Sequence, residues 1–251
     1  MLQLKPAQIE LLAEIPDKAL RETVRDFCVN RQFRRDYWIR GLRQLPPLEQ
    51  QERLRQERVV LIVPRSMVGG TVSGAQAKLA LAPEIYDPIL DLLADHKPRS
   101  LGEIEQALEG RVAGADLIFA ITVLMGQGSI AAAQSQADVA LATPTCRALN
   151  LKILDRARAA DEIGSLACPA TGGAVPAPRL HQIFVLASVS GATEPAEWAA
   201  FAWAILKVQG HRMLRDGAPL MSDEDNLAVL TADAETFAAQ ALPMWRVLGV
   251  I

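Results

Sequence analysis

The stretch from Tyr86 to Ala133, YDPILDLLADHKPRSLGEIEQALEGRVAGADLIFAITVLMGQGSIAAA, decides how this chain is divided. Ile89, Leu92 and Leu93 recur at the three-and-four spacing of one helix face, which predicts a helix over Tyr86 to Asp95. Lys97-Pro98-Arg99 turns the chain. Ser100-Leu101-Gly102-Glu103 then has the serine and glutamate of a capping box and opens a second helix reaching Leu108. A third helix is predicted from Ala115 to Met125, ending at Gly126-Gln127-Gly128, with Ser129 to Ala133 as a short strand. Three helices followed by a strand is the order of a winged helix-turn-helix, so a winged-helix-like domain is expected over residues 83–138.

Upstream, Ile9, Leu12 and Ala13, and then Leu20, Val24 and Phe27, mark two short amphipathic helices separated at Pro16-Asp17. From Gln32 to Arg40 the rhythm changes to two: Phe33, Tyr37 and Ile39 fall on one side and Arg34, Asp36, Trp38 and Arg40 on the other, predicting a strand. A charged helix follows from Leu48 to Arg58, then the apolar run Val59 to Val63. Strand, helix, strand predicts a small α/β element within residues 1–82, and the helix is long enough for a crossover to a parallel neighbour. Gly69, Gly70 and Gly74 make the segment from Met67 to Ala82 a loop or irregular hairpin.

Downstream, residues 139–251 are expected to form a helical C-terminal domain. Apolar stripes run through Arg147 to Leu166 (Asn150, Ile153, Leu154, Ala157), through Leu180 to Ala187, through Trp198 to Ile205, and through Leu227 to Ala241. Breaks fall at Pro169 to Pro178, Gly191 to Pro195 and Gly210 to Pro219, and Ser222 with Asp225 caps the last helix. The tail from Pro243 to Ile251 is too apolar to lie in water and is expected to dock on the body. The fold class is thus α+β and predominantly helical.

Composition sets the outer bounds. A chain of 251 residues, 50% hydrophobic and 22% charged, can bury a real core, which rules out disorder. The longest apolar runs, Val59 to Val63 and Leu117 to Met125, fall short of the roughly 18 to 20 residues of a membrane span. The opening residues lack the apolar block of a secretory signal, so a cytoplasmic location without membrane contact is expected. Cys28, Cys146 and Cys168 are odd in number and scattered, which fits reduced thiols.

Chemistry-bearing motifs are few. His96, His181 and His211 each stand without a second ligand at metal spacing, so no metal site is expected. Neither Ser188-Val189-Ser190-Gly191 nor Val72-Ser73-Gly74 has the glycine that a nucleophile elbow places two residues before its serine. Val68 to Gly74 lacks the Lys-Ser/Thr ending of a P-loop, and Gly126-Gln127-Gly128 follows a helix and lacks a third glycine. No catalytic, cofactor-binding or metal-binding residue is assigned. Charge is uneven: residues 1–65 hold 13 Lys/Arg against 9 Asp/Glu, and residues 66–251 hold 13 against 20. The second and third helices of the middle block offer Glu103, Glu105, Glu109 and Asp116 with only Arg99 and Arg111 nearby, which would repel a duplex. Nucleic-acid binding is the disfavoured alternative, and a protein-interaction or dimerisation module the other.

Asp26-Phe27-Cys28-Val29-Asn30-Arg31-Gln32-Phe33-Arg34-Arg35 resembles the D-F-x-x-N-R-x-F-R-x segment of the methyltransferase regulatory domain. That domain follows the catalytic domain in a group of bacterial class I S-adenosylmethionine-dependent methyltransferases, protein-lysine methyltransferases among them. Tyr86-Asp87-Pro88-Ile89 and Lys97-Pro98-Arg99-Ser100 are similar to the family's central block, and Leu149-Asn150 with Leu166-Ala167-Cys168-Pro169 to the turn into its C-terminal domain. Gly210 to Gly217 and Leu242 to Gly249 extend the likeness toward the end of the chain. The resemblance implies a non-catalytic regulatory or substrate-recognition portion, with S-adenosylmethionine on a catalytic domain joined in cis or acting in trans. No acidic, glycine-rich cofactor loop occurs in this chain. A protein substrate and a second copy of the chain are the further candidate partners. Because Trp and Arg dominate interface energetics, the face made by Arg34, Asp36, Trp38 and Arg40 is the expected contact surface.

Overall fold

The computed structural model describes residues 4–31, 33, 40–41, 43–73 and 78–251. Helix α1 (Pro6–Glu14) starts on a proline, whose missing N–H costs nothing in a first turn, and Gln8 Oε1 accepts the Lys5 backbone N–H at 2.8 Å. Pro16 separates it from α2 (Lys18–Cys28), capped by Asp17, whose carboxylate accepts the Leu20 N–H at 2.7 Å. The predicted pair of short helices is present. The expected strand at 32–40 falls almost wholly outside the described residues.

Helix α3 (Pro47–Gln56) leads directly into β1 (Arg58–Leu61), and a hairpin of β2 (Thr71–Ser73) and β3 (Lys78–Ala80) follows. Next come α4 (Pro83–Leu92), β4 (Arg99–Ser100), α5 (Leu101–Ala107), α6 (Gly114–Gln127) and β5 (Ile130–Ala132). The capping box forms as read: Glu103 N–H donates to Ser100 Oγ at 3.1 Å, and Glu103 Oε2 accepts the Ser100 N–H at 2.6 Å. Helix α6 ends at Gly128, whose φ of +80° suits a residue without Cβ.

The three-stranded sheet has the order β4-β1-β5 and is antiparallel throughout, with Arg58 opposite Ser100 and Leu61 opposite Ile130. This corrects the expectation of a parallel neighbour for residues 59–63. The strand that pairs with β1 on each side comes from downstream, because Leu101 N–H and Ala133 N–H donate to Glu57 and Arg58 carbonyls and draw both ends of the middle block onto it. Side chains alternate across β1, so its two faces serve two cores. Val59 and Leu61 join Ile89, Leu90, Leu93, Ile104 and Leu124, whereas Val60 joins the C-terminal cluster.

The C-terminal part contains α7 (Gln136–Arg156), the hairpin β6 (Ser165–Cys168) and β7 (Gly173–Pro176), α8 (Arg179–Val189), α9 (Pro195–Val208), the hairpin β8 (Leu214–Arg215) and β9 (Ala218–Pro219), and α10 (Asp223–Val247). Its core centres on Phe184, Phe237 and Trp245, with Phe237 edge-on to Trp245 at 5.3 Å. Two readings need correction. The helix expected to reach Leu166 stops at Arg156, and Leu166 lies in β6. Arg179 ends it by donating to the Ala157 and Arg158 carbonyls at 2.7 and 3.1 Å, satisfying acceptors that a longer helix would have used. Likewise α10 continues through Pro243, and the tail docks as expected, with Trp245, Leu248 and Val250 buried.

Three buried amides hold the loops of this part. Asn150 donates from Nδ2 to the Ala167 and Val250 carbonyls and accepts the Ala167 N–H, each at 2.8 Å. Asn226 accepts the Met213 N–H and donates to the Leu220 and Ser222 carbonyls, anchoring the β8-β9 hairpin. Gln182 donates to the Ile163 and Ala177 carbonyls, closing the ends of the β6-β7 hairpin. Several of these contacts fall in the stretches that carry the resemblance, and their role here is structural.

Candidate partner-contact surface

The helices α1 and α2 pack on each other across a three-residue connection, and between them lies a cleft of about 390 Å³. Ile9, Leu12 and Ala13 give it an apolar side; Arg21, Glu22 and Arg25 give it a charged one. Leu12 is the only buried residue of α1, and α2 has none. Arg25 is held by Glu22 at 3.0 Å, whereas Arg21 has no side-chain hydrogen bond or ion pair among the described residues. Leu11, Leu20 and Phe27 stand exposed. An amphipathic helix whose apolar stripe meets no core is a helix prepared to meet something else.

Of the expected contact residues, Arg34, Asp36 and Trp38 lie outside the described residues. Arg40 is exposed in a turn. Within the basic first quarter, α1 and α2 supply a fully described open surface.

A second cleft, of about 380 Å³, lies among α3, α5 and α6, lined by Leu54, Leu101, Leu117 and Ile118 and bounded by an Arg55–Glu105 ion pair at 3.1 Å. Beside it the outer face of α6 exposes Ile118, Phe119 and Met125. From Gly114 to Gln127 the sole charge is Asp116, so this helix offers no cation to a phosphate. Sequence reading missed this surface. Its signal was available, because α6 is apolar on nearly every side, and such a helix needs a partner all round.

The titratable groups elsewhere serve the fold. Burial pushes the Cys168 thiol up, and its sulfur lies 3.8 Å from the Leu248 carbonyl. His181 packs among Phe184, Phe237 and Trp245, and burial lowers its pKa against a weaker opposing pull from Asp233. His96 Nδ1 lies 3.0 Å from the Leu61 carbonyl, at a left-handed residue that ends the turn after α4. Arg99 holds the Asp95 carboxyl below the usual carboxylate range through a two-armed ion pair. Among the described residues no three His, Cys, Asp or Glu side chains converge as metal ligands. No described helix is long and apolar enough to cross a membrane.

Residues 1–40 match the model of a family described as a predicted methyltransferase regulatory domain. The N-terminal segment is similar to a methyltransferase regulatory domain. The chain is also 28% identical over 240 residues to the uncharacterized protein sll1526 of Synechocystis sp. (strain ATCC 27184 / PCC 6803 / Kazusa), which covers 95% of this chain. It spans only 46% of that relative's length. No solved structure matches.

Proposed function

We propose that this chain is the non-catalytic regulatory and substrate-recognition portion of an S-adenosylmethionine-dependent methyltransferase. The observation that carries the reading is the family match over residues 1–40, which includes both helices of the open α1–α2 pair. Methyl transfer depends on holding a sulfonium donor in line with its nucleophile, and such positioning can remove a large part of a reaction barrier. Adenosyl cofactors of this class are held where a glycine-rich loop leaves the carboxyl end of a parallel strand. The described residues do not fit such a group: every described sheet is antiparallel, and neither cleft is walled by a glycine-rich loop. In this reading the donor and the chemistry are supplied by a catalytic domain joined in cis or acting in trans. This chain contributes by binding that domain and shaping the approach of the methyl acceptor, with Arg34, Asp36, Trp38 and Arg40 as a contact face.

Calorimetric titration of the chain with S-adenosylmethionine tests this, and no heat of binding is expected up to millimolar donor. Saturable micromolar binding would overturn the assignment. A second reading, a self-associating interaction module, is favoured by the apolar outer face of α6. The nucleic-acid alternative is disfavoured by the missing cations on that same face.

A further inference from the structure

We infer that the cleft and open apolar face of the α1–α2 pair form the docking surface for the catalytic methyltransferase domain. The inference rests on the function proposed above and adds the place and chemistry of the contact. Helices of 9 and 11 residues are too short to persist in water by themselves, and tertiary burial must hold them. Their mutual contact buries Leu12 alone, while Leu20 is 54% and Phe27 80% exposed. The extensive packing of each helix within the described chain is on the other. A surface of this kind is completed by a partner.

The identity of that partner follows from two observations. The open helices lie within the segment matched to a methyltransferase regulatory domain, and more than half of the Synechocystis relative lies beyond the stretch shared with this chain. The relative thus has room for a catalytic domain on the same polypeptide. The cleft specifies what that domain presents. Its apolar side, Ile9, Leu12 and Ala13, takes a large apolar side chain, and its volume of about 390 Å³ is ample for one. Arg21, with no carboxylate of its own among the described residues, takes an Asp or Glu beside it. Phe27, 80% exposed, anchors the far end, since aromatic side chains are enriched in the cores of interfaces.

The test titrates the full chain with the part of the Synechocystis relative outside the shared stretch, produced as a separate polypeptide. The parent chain is expected to bind. Leu20→Asp, Phe27→Asp and Arg21→Glu should each weaken binding by about tenfold or more, with unchanged helical circular dichroism because none of these side chains is buried. Val208→Asp, at the exposed end of α9, should bind like the parent. Equal binding by all four variants would overturn the docking surface and leave the regulatory reading standing. Failure of the parent chain to bind would overturn both. A parent dimer broken by Phe27→Asp, with no binding of the second polypeptide, would reassign the face to self-association and overturn the inference.

Discussion

Replacing Asn150 with Ala should remove a large part of the stability of the C-terminal part. The side chain is 1% exposed and makes three hydrogen bonds, all at 2.8 Å. Two go to the N–H and C=O of Ala167, so the amide takes the place of a further strand along the free edge of β6. The third takes the carbonyl of Val250, which is fully buried. Truncation orphans that carbonyl at about 2 kcal/mol and the two part-buried groups of Ala167 at roughly 0.5 to 1 kcal/mol each. The sum, about 3 to 4 kcal/mol, is a large fraction of the roughly 5 to 15 kcal/mol that a domain possesses. Urea unfolding followed by tryptophan fluorescence reads it, because Trp245 sits in the same core.

Asn150→Asp sharpens the test. It keeps an acceptor for the Ala167 N–H but sets a carboxylate against two carbonyl oxygens. The neutral acid is then favoured in the folded state and the folded pKa rises above the unfolded one. Its deficit should be smallest below about pH 4 and grow as pH rises, because the unfolded chain ionises first. A loss below about 1 kcal/mol for the alanine variant, as for an exposed asparagine, would refute the reasoning.

Two further outcomes concern charge and helix ends. Burial lowers the pKa of His181, so the unfolded chain takes up a proton first; stability should be full above about pH 6.5 and fall as pH drops through the lower folded value. His181→Phe should flatten that limb in denaturation midpoints taken between pH 5 and 8, and an unchanged slope would count against it. Arg179→Met should cost about 2 kcal/mol in urea unfolding, because the Ala157 carbonyl loses a charged donor at 2.7 Å. Arg179→Lys should restore only part of this, since an ammonium cannot reproduce the fork that also reaches Arg158 and Gln209.

How much of the candidate site was legible differs residue by residue. Ile9, Leu12, Leu20 and Phe27 announced two amphipathic helices by spacing alone, and Pro16-Asp17 marked the break between them. Spacing could not say that the stripe of α2 stays uncovered, because periodicity reports a face and not what meets it. The same gap hid the outer face of α6. Nor could spacing reveal that Asn150, lodged in an apolar stripe, is there to serve the backbone of a hairpin 17 residues away.

Local pattern was enough to determine the helices, their caps and the predominantly helical α+β class, because those depend on side chains within a turn or two of one another. Tertiary structure decided which strands flank β1, where α7 stops and which apolar faces remain open to a partner. Each of those outcomes turns on a contact between residues far apart in the chain: Glu57 with Leu101, Arg179 with Ala157, Val60 with the C-terminal core. Such contacts leave no periodic trace in the segment that receives them.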